Sequence, residues 1–226
     1  EPENKLIDYL GWQKQNDQVW FVGLPLLSGR LSGDKKTIIR QLVEKYNLDL
    51  RLTPNQDILL CNISNNHKHD IEEILNSIGY KELENINEIQ RHALACPALP
   101  LCGLAMTEAE RILPDILKRI DDLLKSLNIK KTILFRITGC PNGCSRPYMA
   151  ELALVGSGLN KYQLWLGGSK NLQRLAKPYL QRMPLDDMEK TLTPLLKEWR
   201  PSSLYEDFGD FVDKKEDSFI LDLLNH

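Results

Sequence analysis

No stretch of this 226-residue sequence approaches the ~18–20 consecutive apolar residues that a bilayer-spanning helix needs. No signal-peptide pattern opens it either. Neither sign of charge is in excess. The 29 Lys and Arg against 31 Asp and Glu leave a net charge of −2, which gives no electrostatic footprint for nucleic acid or an anionic membrane. Internal repeats, low-complexity tracts and long charge runs are also missing. Cysteine is sparse, with five residues, an odd number unevenly placed. A secreted disulfide scaffold would be short, loop-rich and evenly paired, so that class is set aside. The C-x-x-C of thioredoxin-like redox chemistry is absent. The first residue is Glu1 and not Met, and we expect a processed or truncated piece of something longer.

What is present reads as two units. A composition of 42% apolar and 27% charged residues is ordinary for a globular chain, with length for one large domain or two small ones. Residues 18–31, "QVWFVGLPLLSGRL", read as strand and turn. "GDKKTIIRQLVEKYNL" puts Ile38, Ile39, Leu42, Val43 and Tyr46 on one helical face, with Asp34 as N-cap. "DLRLT" and "QDILLCNI", around a Pro-Asn turn, predict a β-hairpin. "KHDIEEILNSIGY" then predicts a helix stopped by Gly79. The order β-α-β-β-α is most of the ferredoxin-like plan, and we expect this first unit over residues 12–82. "KELENINEIQ" is the expected crossing into a second unit, residues 88–226, of mixed α/β character. Its expected elements are a long amphipathic helix from Ile112 to Leu127 that Pro114 can kink, a strand in "KKTILFRIT", and strands in "AELALVGSG" and "YQLWLGG". A helix interrupted at Pro194 and a short helix in "DSFILDLLNH" follow. The fold class is therefore α+β.

Four of the five cysteines form two close pairs, each on a Pro/Gly-rich loop. Cys96 and Cys102 make C-x5-C, and Cys140 and Cys144 make C-x3-C. Two such loops suit a metal centre in an intracellular protein. Zinc sites favour C-x2-C or C-x4-C. An iron–sulfur cluster is larger than one ion and accommodates wider ligand spacing. Spacing thus favours a cluster, with zinc and structural thiols still open.

The residues around the cysteines narrow this. "TGCPNGCSRPYMAELALVG" (138–156) and "ACPALPLCGLAMTEAERILPDILKRI" (95–120) closely resemble the siroheme-dependent sulfite and nitrite reductases, and "YQLWLGG" (162–168) and "FGDF" (208–211) match in the expected order. "CPNGCSRPYMAE" resembles the sulfite reductases more than the nitrite reductases, and the ferredoxin-dependent assimilatory branch of plants and cyanobacteria in particular. The resemblance implies that Cys96, Cys102, Cys140 and Cys144 ligate one 4Fe-4S cluster, and that Cys144 also bridges to the siroheme iron as its axial ligand. It implies cofactor contacts for Asn142, Gly143 and Arg146, the last through a siroheme carboxylate. Ferredoxin as electron donor, sulfite as substrate, and a location in cyanobacterial cytoplasm or plastid stroma are further implications. The Arg and Lys residues that clasp sulfite would come from the N-terminal half of the same polypeptide, so this piece alone is expected to show little or no turnover. A nitrite reductase of the same superfamily, or a non-catalytic cluster-binding module, would share the motifs.

Other candidates carry less. Gly139 fits a turn or a close approach to the cluster. Cys61, in "ILLCNI", reads as a buried structural thiol. His67 and His69 read as solvent-facing, and His92 lies near enough to Cys96 to support it. "LGGSKN" (166–171) lacks the Lys-Ser/Thr ending of a P-loop. Lys130–Lys131 and Lys214–Lys215 would suit docking of an acidic ferredoxin, although Lys pairs are usually just solvated.

Overall fold

The computed structural model describes residues 9–80, 86–204 and 206–225. The chain separates into two compact units that divide between Asn87 and Glu88. The expected end of the first unit near residue 82 lies outside the described residues.

The first unit has strands β1 (Gly11–Lys14), β2 (Val19–Leu24), β3 (Asp49–Leu52) and β4 (Ile58–Ser64), with helices α1 (Gly33–Tyr46) and α2 (Asn65–Ser77). Its sheet runs β1-β2-β4-β3, antiparallel throughout. From β2 onward this is the expected β-α-β-β-α order. The sequence reading lacked β1, a four-residue strand whose "GWQK" carries little periodicity. β1 pairs beside β2, the edge that a closing strand occupies in the full ferredoxin-like plan. Val22, Leu24, Leu60 and Ile63 of the sheet pack with Ile39 and Leu42 of α1 and Ile71 and Leu75 of α2. Each such side chain contributes about 1.5–3 kcal/mol by leaving water. Cys61 is buried here, and burial pushes its thiol pKa up. The N-cap of α1 is Ser32 and not Asp34. Asp34 sits in the first turn, where its charge still complements the helix dipole. Gly79, just beyond α2, takes φ +85°, the left-handed backbone that a helix stop requires.

The second unit contains α3 (Glu88–His92), β5 (Leu94–Ala95), α4 (Leu113–Ser126), β6 (Phe135–Thr138), β7 (Leu152–Gly158), β8 (Lys161–Leu166), β9 (Lys177–Pro184), α5 (Met188–Trp199), α6 (Phe208–Asp213) and α7 (Asp217–Leu224). The sheet order is β5-β6-β7-β8-β9, parallel from β5 to β7 and antiparallel from β7 to β9. The apolar faces of α4 and α5 bury Ile116, Leu117, Ile120, Leu192, Leu196 and Trp199 in one core with Phe135, Ile137 and Leu154 of the sheet.

Both proline expectations are corrected. Pro114 stands in the first turn of α4, where its missing N–H has no helical partner to lose, so it starts the helix without kinking it. α5 runs through Pro194 without interruption. The ~3 kcal/mol cost of an interior proline is outweighed by five buried residues on the same helix, Met188, Leu192, Leu195, Leu196 and Trp199. The predicted strand in "KKTILFRIT" shortens to Phe135–Thr138, because its partner β7 begins only at Leu152.

Glu151 fastens the far end of this unit to the sheet. Its side chain is fully buried and accepts hydrogen bonds from the backbone N–H of Leu134 at 2.8 Å and of Gly209 at 2.9 Å. Burial pushes its carboxyl pKa up to about 7, against the opposing pull of Lys170 and the two amides. The "FGDF" segment is therefore α6, held by Glu151 through Gly209 and by Phe208 edge-on to Trp199 at 5.2 Å. β9, α3 and α6 were not legible as elements from their sequences.

Candidate functional site

β5 and β6 are adjacent and parallel, so their carboxyl ends lie side by side. Open α/β sheets bind ligands at that edge. Each strand runs directly into one cysteine pair. Cys96 follows Ala95 at the end of β5, and Cys140 follows β6 by two residues. The register Ala95↔Ile137 sets Cys96 beside Thr138, and the Cys96 N–H donates to the Ile137 carbonyl at 3.3 Å.

Cys96 Sγ then accepts from the Gly139 N–H at 3.2 Å and from the Thr138 hydroxyl at 3.3 Å. Two donors converge on this one sulfur and fix its position at the seam of the loops. The first loop turns back on itself, with the Cys102 N–H donating to Ala98 O at 2.8 Å. It then closes on the second loop, with the Met106 N–H donating to Gly139 O at 2.8 Å. Gly139 is thus the seam of the site. A Cβ there would lie 2.6 Å from Ala98 Cβ, 2.8 Å from Thr107 O and 3.1 Å from Ala105 Cβ. Close approach, and not a turn, explains this glycine.

The second loop is braced from below. Gly143 has φ +69°, and a Cβ on it would strike the Tyr148 ring at 2.8 Å. The Tyr148 hydroxyl donates to Pro141 O at 2.6 Å, and its ring packs on Trp165 at 4.5 Å between centroids. Burial, with Cys140 adding to it, raises the Tyr148 pKa, so the hydroxyl keeps its proton. The Ser145 hydroxyl donates to Ile137 O at 2.7 Å, and the Arg146 N–H closes a turn onto Gly143 O at 2.8 Å. Arg136, 1% exposed, donates from Nη1 to Arg146 O at 3.0 Å. Burial, with the Arg146 charge adding to it, lowers the Arg136 pKa to about 10, so the guanidinium stays protonated at neutral pH.

All four cysteines are free thiols: Cys96 and Cys140 buried, Cys102 half-buried, Cys144 exposed. Asn142 is exposed next to Cys144, and Gly143 and Arg146 are half-buried. Among the described residues no three His, Cys, Asp or Glu side chains converge as a one-ion shell. Four thiols on two adjoining loops, with hydrogen bonds directed at Cys96 Sγ, form a donor set whose chemistry suits a thiolate-ligated group. Leu101, Leu104 and Met106 form an exposed apolar rim on the first cysteine loop.

The remaining candidates fall elsewhere. His67 packs on Tyr46 and His69 lies 3.5 Å from Glu73, both in the first unit. His92 closes α3, half-buried. Lys131 pairs with Asp207 at 2.9 Å, Lys214 with Glu206 at 2.5 Å, and Lys215 lies over Phe211 and Phe219, so these lysines are engaged within their own unit. The sequence reading missed Thr138, Tyr148 and Arg136 as parts of the site. The signal for Arg136 was available: one charge inside the otherwise apolar run "ILFRI".

Comparison with known proteins gives a consistent picture. Residues 13–78 match the nitrite/sulfite reductase ferredoxin-like half domain. A sulfite reductase (ferredoxin) of Synechococcus elongatus is 46% identical over 219 residues, 94% of this chain and 35% of that protein. A sulfite reductase (NADPH) hemoprotein beta-component of Staphylococcus haemolyticus is 36% identical over 91% of this chain and 37% of its own length. The chain thus spans little more than a third of these curated relatives. The Mycobacterium tuberculosis NirA structure superposes on 98% of the chain and 42% of its own, with TM-score 0.78 at 22% identity. A dissimilatory sulfite reductase I structure superposes on 92% of the chain and 69% of its own, at TM-score 0.61 and 10% identity. These two show the shared fold.

Proposed function

We propose, from the premise that this chain matches the sulfite and nitrite reductase family, that it is the cofactor-carrying C-terminal part of a ferredoxin-dependent assimilatory sulfite reductase. Residues 12–82 serve as the ferredoxin-like half-domain and residues 88–226 as the cofactor domain. Cys96, Cys102, Cys140 and Cys144 hold a 4Fe-4S cluster. Cys144 would also ligate the siroheme iron, and Asn142, Gly143 and Arg146 would contact that macrocycle. The pair of cofactors, when bound, supplies electrons one at a time for the six-electron reduction of sulfite to sulfide.

The observation that carries the reading is the juxtaposition of two cysteine loops at the carboxyl ends of β5 and β6, joined through Gly139. The chain's own residues do the holding. Gly139 N–H and the Thr138 hydroxyl hold the Cys96 sulfur in place. Tyr148 and Ser145 fix the backbone between Cys140 and Arg146, so the exposed Cys144 thiol is presented on a rigid turn. Cys144 is the one thiol of the four that is exposed, as a ligand shared with a second group must be. The apolar rim of Leu101, Leu104 and Met106 suits cover by the macrocycle or by the N-terminal half of the polypeptide.

Ferredoxin is the proposed electron donor, and cyanobacterial cytoplasm or plastid stroma the proposed location. Among the described residues no helix is long and apolar enough to cross a membrane. Iron, acid-labile sulfide and siroheme absorption bands, measured on the purified chain after reconstitution, test the cofactor assignment. Zinc bound in place of iron would sink it. Serine at Cys96, Cys102, Cys140 or Cys144 is expected to abolish iron retention, whereas Cys61→Ser leaves it unchanged. Relative turnover of sulfite and nitrite by the full-length enzyme tests the substrate. Sustained sulfite turnover by this chain alone would refute the assignment of the substrate-clasping residues to the other half.

A further inference from the structure

We propose, resting on the cluster reading above, that Arg136 is the buried counter-charge of the anionic thiolate cluster held by the two cysteine loops. Arg136 lies in the middle of β6 and is 1% exposed. Along a strand, side chains alternate between faces. Phe135 and Ile137 enter the apolar core. Arg136 therefore shares the opposite face with Thr138, whose hydroxyl donates to Cys96 Sγ. The same guanidinium donates from Nη1 to Arg146 O, at the turn that carries Cys144. One side chain thus touches the turn that carries Cys144 and shares a strand face with the hydroxyl that holds Cys96.

Its charge has no partner within the described residues. Nε is buried without a hydrogen-bond acceptor, and no carboxylate contributes to its electrostatic surroundings. The neighbouring charge is another cation, Arg146. An unpaired buried cation is costly, and arginine does not escape by losing its proton at neutral pH. A cluster bound through four thiolates would carry net negative charge, and this cation touches the turn that would present one of those thiolates. Arg136 thus destabilises the cofactor-free chain and stabilises the loaded one. Because reduction adds negative charge to the cluster, the cation also favours the reduced state.

The test compares Arg136→Met, Arg136→Gln and Arg136→Lys in the full chain, with and without iron and sulfide reconstitution. Three results are expected. The urea midpoint of cofactor-free Arg136→Met rises above that of the parent. Loaded Arg136→Met and Arg136→Gln release iron to a chelator on the order of tenfold faster, the factor given by ~1.4 kcal/mol of lost charge pairing. Their cluster reduction potential moves negative, while Arg136→Lys stays near the parent. Equal destabilisation of both forms, with parental iron release and potential, would show a merely structural arginine and overturn the proposal. So would neutral variants indistinguishable from the parent in every readout. A parent chain that takes up no iron would instead overturn the cluster reading, and this proposal with it.

Discussion

Replacing Gly139 with alanine puts one methyl group at the seam of the two cysteine loops. The new Cβ would lie 2.6 Å from Ala98 Cβ and 2.8 Å from Thr107 O. Carbon atoms rest at about 3.5–4.0 Å, so the loops must separate by about 1 Å. Neither obstacle is a flexible side-chain end; one is a methyl fixed to its backbone and the other a carbonyl. Overpacking of this kind costs about 1–3 kcal/mol. The separation also strains two hydrogen bonds, Met106 N–H to Gly139 O at 2.8 Å and Gly139 N–H to Cys96 Sγ at 3.2 Å. Losing the backbone bond adds about 0.5–1.5 kcal/mol. The stiffer unfolded chain returns about 0.4–1 kcal/mol. The net expectation is a destabilisation of about 1–3 kcal/mol, read as a lower urea midpoint with unchanged slope. Gly103 supplies the matched control: it lies in the same first loop, and its Cβ would meet nothing within 4 Å. Gly103→Ala is expected to stay within about 0.5 kcal/mol of the parent or to gain slightly. If Gly139→Ala unfolds with Gly103→Ala and retains iron like the parent, the two loops are not in contact as described.

Two further expectations use other contacts. Glu151 has a folded-state pKa of about 7, raised above the 4.5 of an unperturbed glutamate. Stability tied to it is therefore full below pH ~4.5 and falls as pH rises through ~7, by roughly 3 kcal/mol at most. Glu151→Gln removes that slope from urea midpoints measured between pH 4.5 and 8, while costing one backbone hydrogen bond at every pH; an unchanged slope would place the titration elsewhere. Tyr148→Phe deletes the bond to Pro141 O and costs about 1 kcal/mol, with the Trp165 contact kept. In the cofactor-free chain Cys140 should then alkylate faster, and an unaltered rate would show that the hydroxyl does not brace the loop.

Legibility followed the physical range of each signal. The long helices were read correctly because a 3.6-residue apolar period persists over α1, α2 and α4. β1 and β9 were not, since a four-residue strand has no measurable period, and "KPYLQRMP" is half exposed and carries prolines at both ends. Pro114 and Pro194 were misjudged because a local rule was applied without the helix start and the buried face that override it. The two cysteine pairs were legible as loops from their prolines and glycines. Gly139 as a seam was not, since the atoms that exclude a side chain come from Ala98, Ala105 and Thr107, more than thirty positions earlier.

The same reasoning shows why the two cysteine pairs must sit so far apart in sequence. Parallel neighbours need a crossover between them, here the loop beyond Cys96 and then α4, before the chain can return as β6. An antiparallel hairpin would point its two strand ends in opposite directions and put the loops at opposite edges of the sheet. Parallel pairing puts Cys96 and Cys140 at one edge, with the Ala95↔Ile137 register fixing their offset. The buried Arg136 then follows from the same register: the strand that delivers Cys140 must alternate faces, so a residue two before Thr138 necessarily lies on the cysteine side. An apolar residue there would pack at no electrostatic cost, so the buried charge at this position is the feature that the Arg136 variants put to the test.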